Sequence, residues 1–225
     1  MRPDNSAFEQ EYRARKSAGA AGLYDSYDSD IAHLSRILQR DDAPKTGRAL
    51  EIGCGAGNIA LWLAAQGFSV SGIDSAPSAI SWARERAAAT GVQADFNIGN
   101  AVHLREFFTQ PFDLIIDGAC YHFVLGDDRS LFLQNVAALL QPSGCFLVES
   151  ICSVSDSMVD TALEAYAIDG QQTVRHIGTI NSLVEEVRAA GLYVAYLDVA
   201  FYRDEPTRGD LSILAIKLPA GHSKV

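Results

Sequence analysis

The residues best placed to do chemistry lie in one stretch, Ala49-Leu50-Glu51-Ile52-Gly53-Cys54-Gly55-Ala56-Gly57-Asn58-Ile59-Ala60. Glycine at every second position, 53, 55 and 57, lets the backbone turn sharply and lets a ligand approach without meeting a Cβ atom. Leu50 and Ile52 read as a short buried strand, and Ile59, Leu61, Leu63 and Ala64 open a helical pattern. A helix starting there turns its unpaired N–H groups toward whatever the loop holds. Charge narrows the choice. The dinucleotide fingerprint needs a third glycine where Asn58 stands, and the Gly-Lys-Ser/Thr of a phosphate loop is absent. No Lys or Arg occurs between Arg48 and Arg84, while Glu51 and Asp74 are acidic. A pyrophosphate is poorly matched to such surroundings. A cationic cofactor with an amino group and a free ribose is matched well.

S-adenosylmethionine has those features, with a sulfonium as its positive centre. The segment Glu51-Ile52-Gly53-Cys54-Gly55-Ala56-Gly57 also resembles the acidic-x-Gly-x-Gly-x-Gly signature of class I S-adenosylmethionine-dependent methyltransferases. The resemblance continues in order through Gly72-Ile73-Asp74-Ser75, Gly99-Asn100-Ala101, Phe112 to Asp117, and Leu139-Leu140-Gln141-Pro142-Ser143-Gly144, covering residues 48 to 150. It implies an α/β, Rossmann-like fold: a seven-stranded, mostly parallel sheet with a C-terminal antiparallel hairpin and helices on both faces. It further implies that Glu51, Gly53, Cys54, Gly55, Gly57, Asp74, Ser75, Asn100, Ala101, Asp117 and Gly118 bind the cofactor, which leaves as S-adenosylhomocysteine.

Asp74 lies 17 residues after Gly57, near the distance at which an acid meets the ribose in related nucleotide folds. A carboxylate accepts from both ribose hydroxyls at once. Capping the helix near Pro77 is its other possible duty, which Ser75 is also able to perform. By resemblance Asn100 meets the adenine amine, keeping the acceptor oxygen where many relatives carry Asp; an Asn in a simple turn is the plainer reading. Asp117 either approaches the cofactor's amino group or sulfonium, or caps its own loop.

The continuous apolar run Phe112 to Ile116 fits a central parallel strand covered on both faces, so Asp117 to Phe123 should lie at a ligand-binding strand end. His122 has a reference pKa near 6.5 and suits a general base; Tyr121 suits a pocket wall or catalytic contact. Both are equally at home as packed, hydrogen-bonded side chains. Glu149, near the end of the next strand, is a candidate for acceptor recognition. Tyr24 and Tyr27, before a helical pattern at Ile31, Leu34, Ile37 and Leu38, are candidates for a lid over the substrate. The Asn/Asp-Pro-Pro-aromatic motif of relatives that methylate amide or adenine nitrogens is missing after Ile116.

The elements that must position these groups fit one domain over 1–225, with an N-terminal arm and lid helix in 1–40 and a substrate-cap insert in 153–178. Two apolar runs, Tyr193 to Tyr202 and Leu211 to Leu218, read as the closing hairpin. The 225 residues are 48% hydrophobic, enough for a sizeable core. With 18 Lys and Arg against 28 Asp and Glu, the net charge of −10 disfavours nucleic acid as partner. No segment reads as a signal peptide or membrane span, no ligand-spaced cluster reads as a metal site, and four cysteines without a C-x-x-C pair fit a reducing compartment. A cytoplasmic enzyme methylating a small-molecule acceptor at O, N or S is the expectation. A non-catalytic cofactor-binding module and an aminopropyl transferase on the same fold are the alternatives. A nicotinamide oxidoreductase lacks its third glycine.

Overall fold

The computed structural model describes residues 6–20, 22, 27–154, 162–168 and 171–221. Strands β1 (Gly47–Ile52), β2 (Phe68–Asp74), β3 (Ala94–Ile98), β4 (Phe112–Asp117) and β5 (Leu140–Ser153) run parallel in the order β3-β2-β1-β4-β5. Helices α3 (Asn58–Ala65), α4 (Pro77–Thr90) and α5 (Asp128–Leu139) fill three of the crossovers. On the far side, β9 (Arg208–Ile216) pairs antiparallel with β5, and β8 (Tyr193–Phe201) with β9. These seven strands form the sheet implied by the resemblance. The region 153–178 adds two more, β6 (Ala162–Ile168) and β7 (Gln171–Thr179), as an antiparallel hairpin.

Alternation along the central strands divides the core in two. Leu50, Ile52, Ile115, Phe146 and Val148 point to the face covered by α5 and by α6 (Ile180–Ala189). Ala49, Leu114, Ile116 and Leu147 point to the face covered by α3, α4 and α2 (Tyr27–Leu38). Both faces of β4 are therefore dry, as the unbroken apolar run required. Outside this core, α1 (Ser6–Ser17) lies along α4.

Strand β5 is long and its pairing changes along its length. Leu147 is its last residue paired with β4, and β7 joins only at Cys152 and Ser153. The start of β5 falls inside the segment Leu139 to Gly144 that carries the resemblance. Pairing already begins at Leu140 and shifts register before Cys145, with Ser143 at φ 67.

One polar contact ties the loop after β4 to the helices beneath it. Arg129, buried in the first turn of α5, donates to both carboxylate oxygens of Glu186 in α6 at 3.0 and 2.6 Å. Its remaining donors reach the carbonyls of Tyr121 and Val124 at 3.1 and 3.0 Å, and its guanidinium lies 3.9 Å from the Tyr121 ring centre. Removing one member leaves a buried charge without its partner. Glu186→Ala should destabilise the fold by about 3 kcal/mol in urea unfolding, and a loss below about 1 kcal/mol would show that the pair adds little.

Candidate active site

A cleft of about 250 Å³ opens beyond the carboxyl ends of β1, β2, β4 and β5, where open α/β sheets bind ligands. The glycine loop forms its floor. Gly53, Gly55 and Gly57 have φ of 73°, 50° and 77°, the left-handed region that glycine enters without a Cβ clash. Gly53 and Gly55 line the cleft. Gly57 does not: a Cβ there would come within 3.0 Å of the Phe96 ring and 3.1 Å of Ala83, so its service is to packing.

Three acids end adjacent strands and each receives backbone N–H groups. Glu51, buried in β1, accepts from Ala60 of α3 at 2.7 Å. Asp74, at the end of β2, accepts from Gly55 and Ala76 at 2.9 and 2.8 Å. Asp117, at the end of β4, accepts from Cys120 and Tyr121 at 3.0 Å each, and from the N–H of Glu149 in β5. The last contact falls where β5 has left β4 and not yet met β7. Burial raises all three carboxyls above their ordinary range, Asp117 to about 6. Burial likewise pushes the Cys54 and Cys120 thiols well up, which keeps them protonated.

Among the described residues, five carboxylates (Asp30, Glu51, Asp74, Asp128 and Glu149) and no Lys or Arg line the cleft. The structure brings Glu51, Gly53, Cys54, Gly55, Asp74, Ser75, Asn100, Ala101, Gly118 and Glu149 together at this lining. Asn100 accepts from the Val102 N–H at 2.8 Å and so starts the 3-10 turn Ala101–Glu106. Gly118 has no room for a side chain, since a Cβ would sit 2.6 Å from the Gly53 carbonyl oxygen.

His122, Tyr121 and Asp117 are not brought to the cleft. Residues Tyr121–Phe123 form a single 3-10 turn, whose three side chains leave in three directions. Phe123 enters the cleft, while Tyr121 and His122 point into the protein. The Tyr121 hydroxyl donates to Glu186 at 2.7 Å, and burial holds its proton on. His122 packs against Phe123, and burial with the charges of Arg175 and Arg129 holds its ring down to about 3. At neutral pH it is uncharged, and among the described residues its Nδ1 has no hydrogen-bond partner. Tyr24 lies outside the described residues, and Tyr27 is the first residue of α2. Among the described residues, none from 153–178 lines the cleft.

Phe123, in the segment expected at a strand end, joins walls whose other residues were not anticipated: Phe8 and Tyr12 of α1, Asp30 of α2, and Val124 and Leu125. Near the opposite rim, His33 of α2 reaches the Ser212 hydroxyl at 3.0 Å and the Glu149 carboxylate at 3.7 Å. Nothing in the spacing of α1 and α2 separates these residues from an ordinary helix face.

Cleft position, glycine loop and strand order together define a class I methyltransferase architecture. Residues 49–144 match the family model described as methyltransferase domain. Methyltransferase GfsG of Streptomyces halstedii is 26% identical over 178 residues, 76% of this chain and 62% of that protein. The ubiquinone biosynthesis O-methyltransferase of Xylella fastidiosa strain 9a5c is 30% identical over 167 residues, 72% of this chain and 66% of its own length. The matched region thus spans less than two thirds of either relative. In fold, the chain resembles an S-adenosylmethionine-dependent methyltransferase from Clostridium acetobutylicum, with TM-score 0.70 and 12% identity over 86% of this chain and 92% of the other. Over residues 49–144 the chain carries a methyltransferase domain.

Glu149 offers a direct check on the electrostatics. Burial, with the charges of Asp117 and Asp30, raises its carboxyl to about 7. The native state then holds protons that the unfolded chain releases, so stability falls as pH rises from about 4.5 to about 7. Glu149→Gln should flatten the upper part of that slope in urea midpoints taken across this range. An unchanged slope would mean that Glu149 ionises normally.

Proposed function

We propose that the protein transfers a methyl group from S-adenosylmethionine to a small-molecule acceptor with an oxygen, nitrogen or sulfur nucleophile. The supporting observation is the make-up of the cleft: among the described residues five carboxylates and no Lys or Arg line it, at the strand ends where the family signature falls. Such a lining disfavours an anionic phosphate and favours a cation.

The residues present fit that cofactor. Asp74 accepts from the N–H groups of Gly55, Ala76 and Ser75, which leaves one of a carboxylate's four or so lone-pair sites for a ribose hydroxyl. Asn100 and Ala101 stand at the corner assigned to adenine, and Gly53, Gly55 and Gly118, where any side chain would strike Cys120, Tyr12 or the Gly53 carbonyl, line the cleft between them and the strand ends. When bound, the cofactor supplies a methyl group already activated on sulfur. The chain's own task is then positioning, which contributes on the order of 7–11 kcal/mol in well-oriented reactions. Phe8, Phe123, Val124 and Leu125 exclude water from one side, while Glu149 is the titratable group set to meet an acceptor proton. The ubiquinone biosynthesis O-methyltransferase among the relatives supports a small acceptor; a single domain in a reducing cytoplasm agrees with the four free cysteines.

Asp74→Ala should weaken S-adenosylhomocysteine binding about tenfold or more in calorimetry, as expected for losing a charged hydrogen-bond acceptor. Equal affinity in the variant would remove Asp74 from the site. An acceptor panel read by mass spectrometry, scoring gain of one methyl group, tests the transfer itself.

A further inference from the structure

The sequence reading treats the N-terminal arm as a cover, and the family model begins only at residue 49. The structure gives α1 a defined seat. Helix α4 starts at Pro77 with Ala76 as its N-cap residue, which has no side chain to accept from the first N–H groups. Glu9 of α1 fills that role from another helix: its carboxylate accepts from the Ser78 N–H at 2.9 Å and the Ser78 hydroxyl at 2.8 Å. A carboxylate at a helix N-terminus is also favoured by the helix dipole. Farther along, Lys16 pairs with Glu85 at 2.6 Å, and Phe8 meets Phe123 edge-on with ring centres 4.9 Å apart.

This seat carries Tyr12, itself 6% exposed and packed with Ala56, Ala76, Ala79 and Trp82, so that its hydroxyl lies over Gly55 in the cleft. A Cβ added at Gly55 would run into that hydroxyl. The backbone beneath is already committed. The N–H groups of Gly53 and Cys54 both donate to the Ile73 carbonyl, Gly55 to Asp74, Gly57 to Cys54, and Ala60 to Glu51. The glycine loop therefore has few donors left for an anion, and no Lys or Arg lines the cleft among the described residues. Yet the cofactor named above carries an α-carboxylate as well as its cation.

We propose that Tyr12 of α1 is a cofactor-binding residue, donating its hydroxyl to the α-carboxylate of S-adenosylmethionine, with Glu9 as the positioning residue that seats α1 on α4. This rests on the cofactor reading above and extends it to a helix outside the matched domain.

The test uses two ligands and calorimetry: S-adenosylhomocysteine, and methylthioadenosine, which keeps the adenosine and thioether but has no amino-acid tail. Tyr12→Phe should lower affinity for the first about tenfold and leave the second unchanged, the difference expected for one hydrogen bond to a charged group. Loss of affinity for both ligands alike would make Tyr12 a packing residue and overturn the proposal, as would no loss for either. Glu9→Ala should weaken S-adenosylhomocysteine binding about threefold or more, and Glu9→Gln, which keeps an oxygen for Ser78, should restore it. Failure of Glu9→Ala to weaken binding would overturn the positioning role. Wild-type protein that binds neither ligand would instead refute the cofactor reading on which the proposal stands.

Discussion

Three carboxylates at the ends of three neighbouring parallel strands hold this cleft in shape. Glu51, Asp74 and Asp117 each accept N–H groups from the segments around the strand ends: Ala60, then Gly55 and Ala76, then Cys120, Tyr121 and Glu149. Without them the glycine loop, the start of α3 and the tip of β4 would leave buried donors unsatisfied, a cost of about 1–3 kcal/mol for each. The same placement removes the acids from water and raises their pKa values. One arrangement therefore builds the loops and, through Glu51 and Asp74, sets two acids in the cleft whose charged forms a nearby cation would favour.

The two walls depend on separate devices. On one side, Arg129 fastens the Tyr121–Val124 segment to α6, which turns Phe123 toward the cleft and Tyr121 and His122 away from it. Burying a neutral histidine next to two arginines is stable only while the ring stays uncharged, and the ring is held at about 3. On the other side, α1 depends on its cap to α4 and on aromatic contact with Phe123. Phe123 therefore links the two walls.

Much of the fold could be read from sequence because its signals are local. The run Phe112 to Ile116 is apolar on both faces, Gly91 sits just past α4 with φ 70°, and the two last apolar runs are long enough to pair. The strand-end acids were visible through their spacing from the glycines. What failed to show was direction and distance. A 3-10 turn rotates each successive side chain, so no period revealed that Phe123 rather than His122 enters the cleft. Glu9 and Ser78, or His33 and Ser212, are 69 and 179 residues apart, and the pattern of a single chain holds no trace of such contacts. The β6–β7 hairpin shows in sequence only as an insert over 153–178, because its strands carry polar and apolar residues in no strict alternation.

The most direct test of the cofactor reading is a crystal structure of the protein with S-adenosylhomocysteine. Electron density is expected to run from Asn100 past Asp74 to Gly55, with the ribose hydroxyls on the Asp74 carboxylate. Ligand bound elsewhere, or an Asp74 carboxylate engaged only with Gly55 and Ala76 in a saturated crystal, would contradict it.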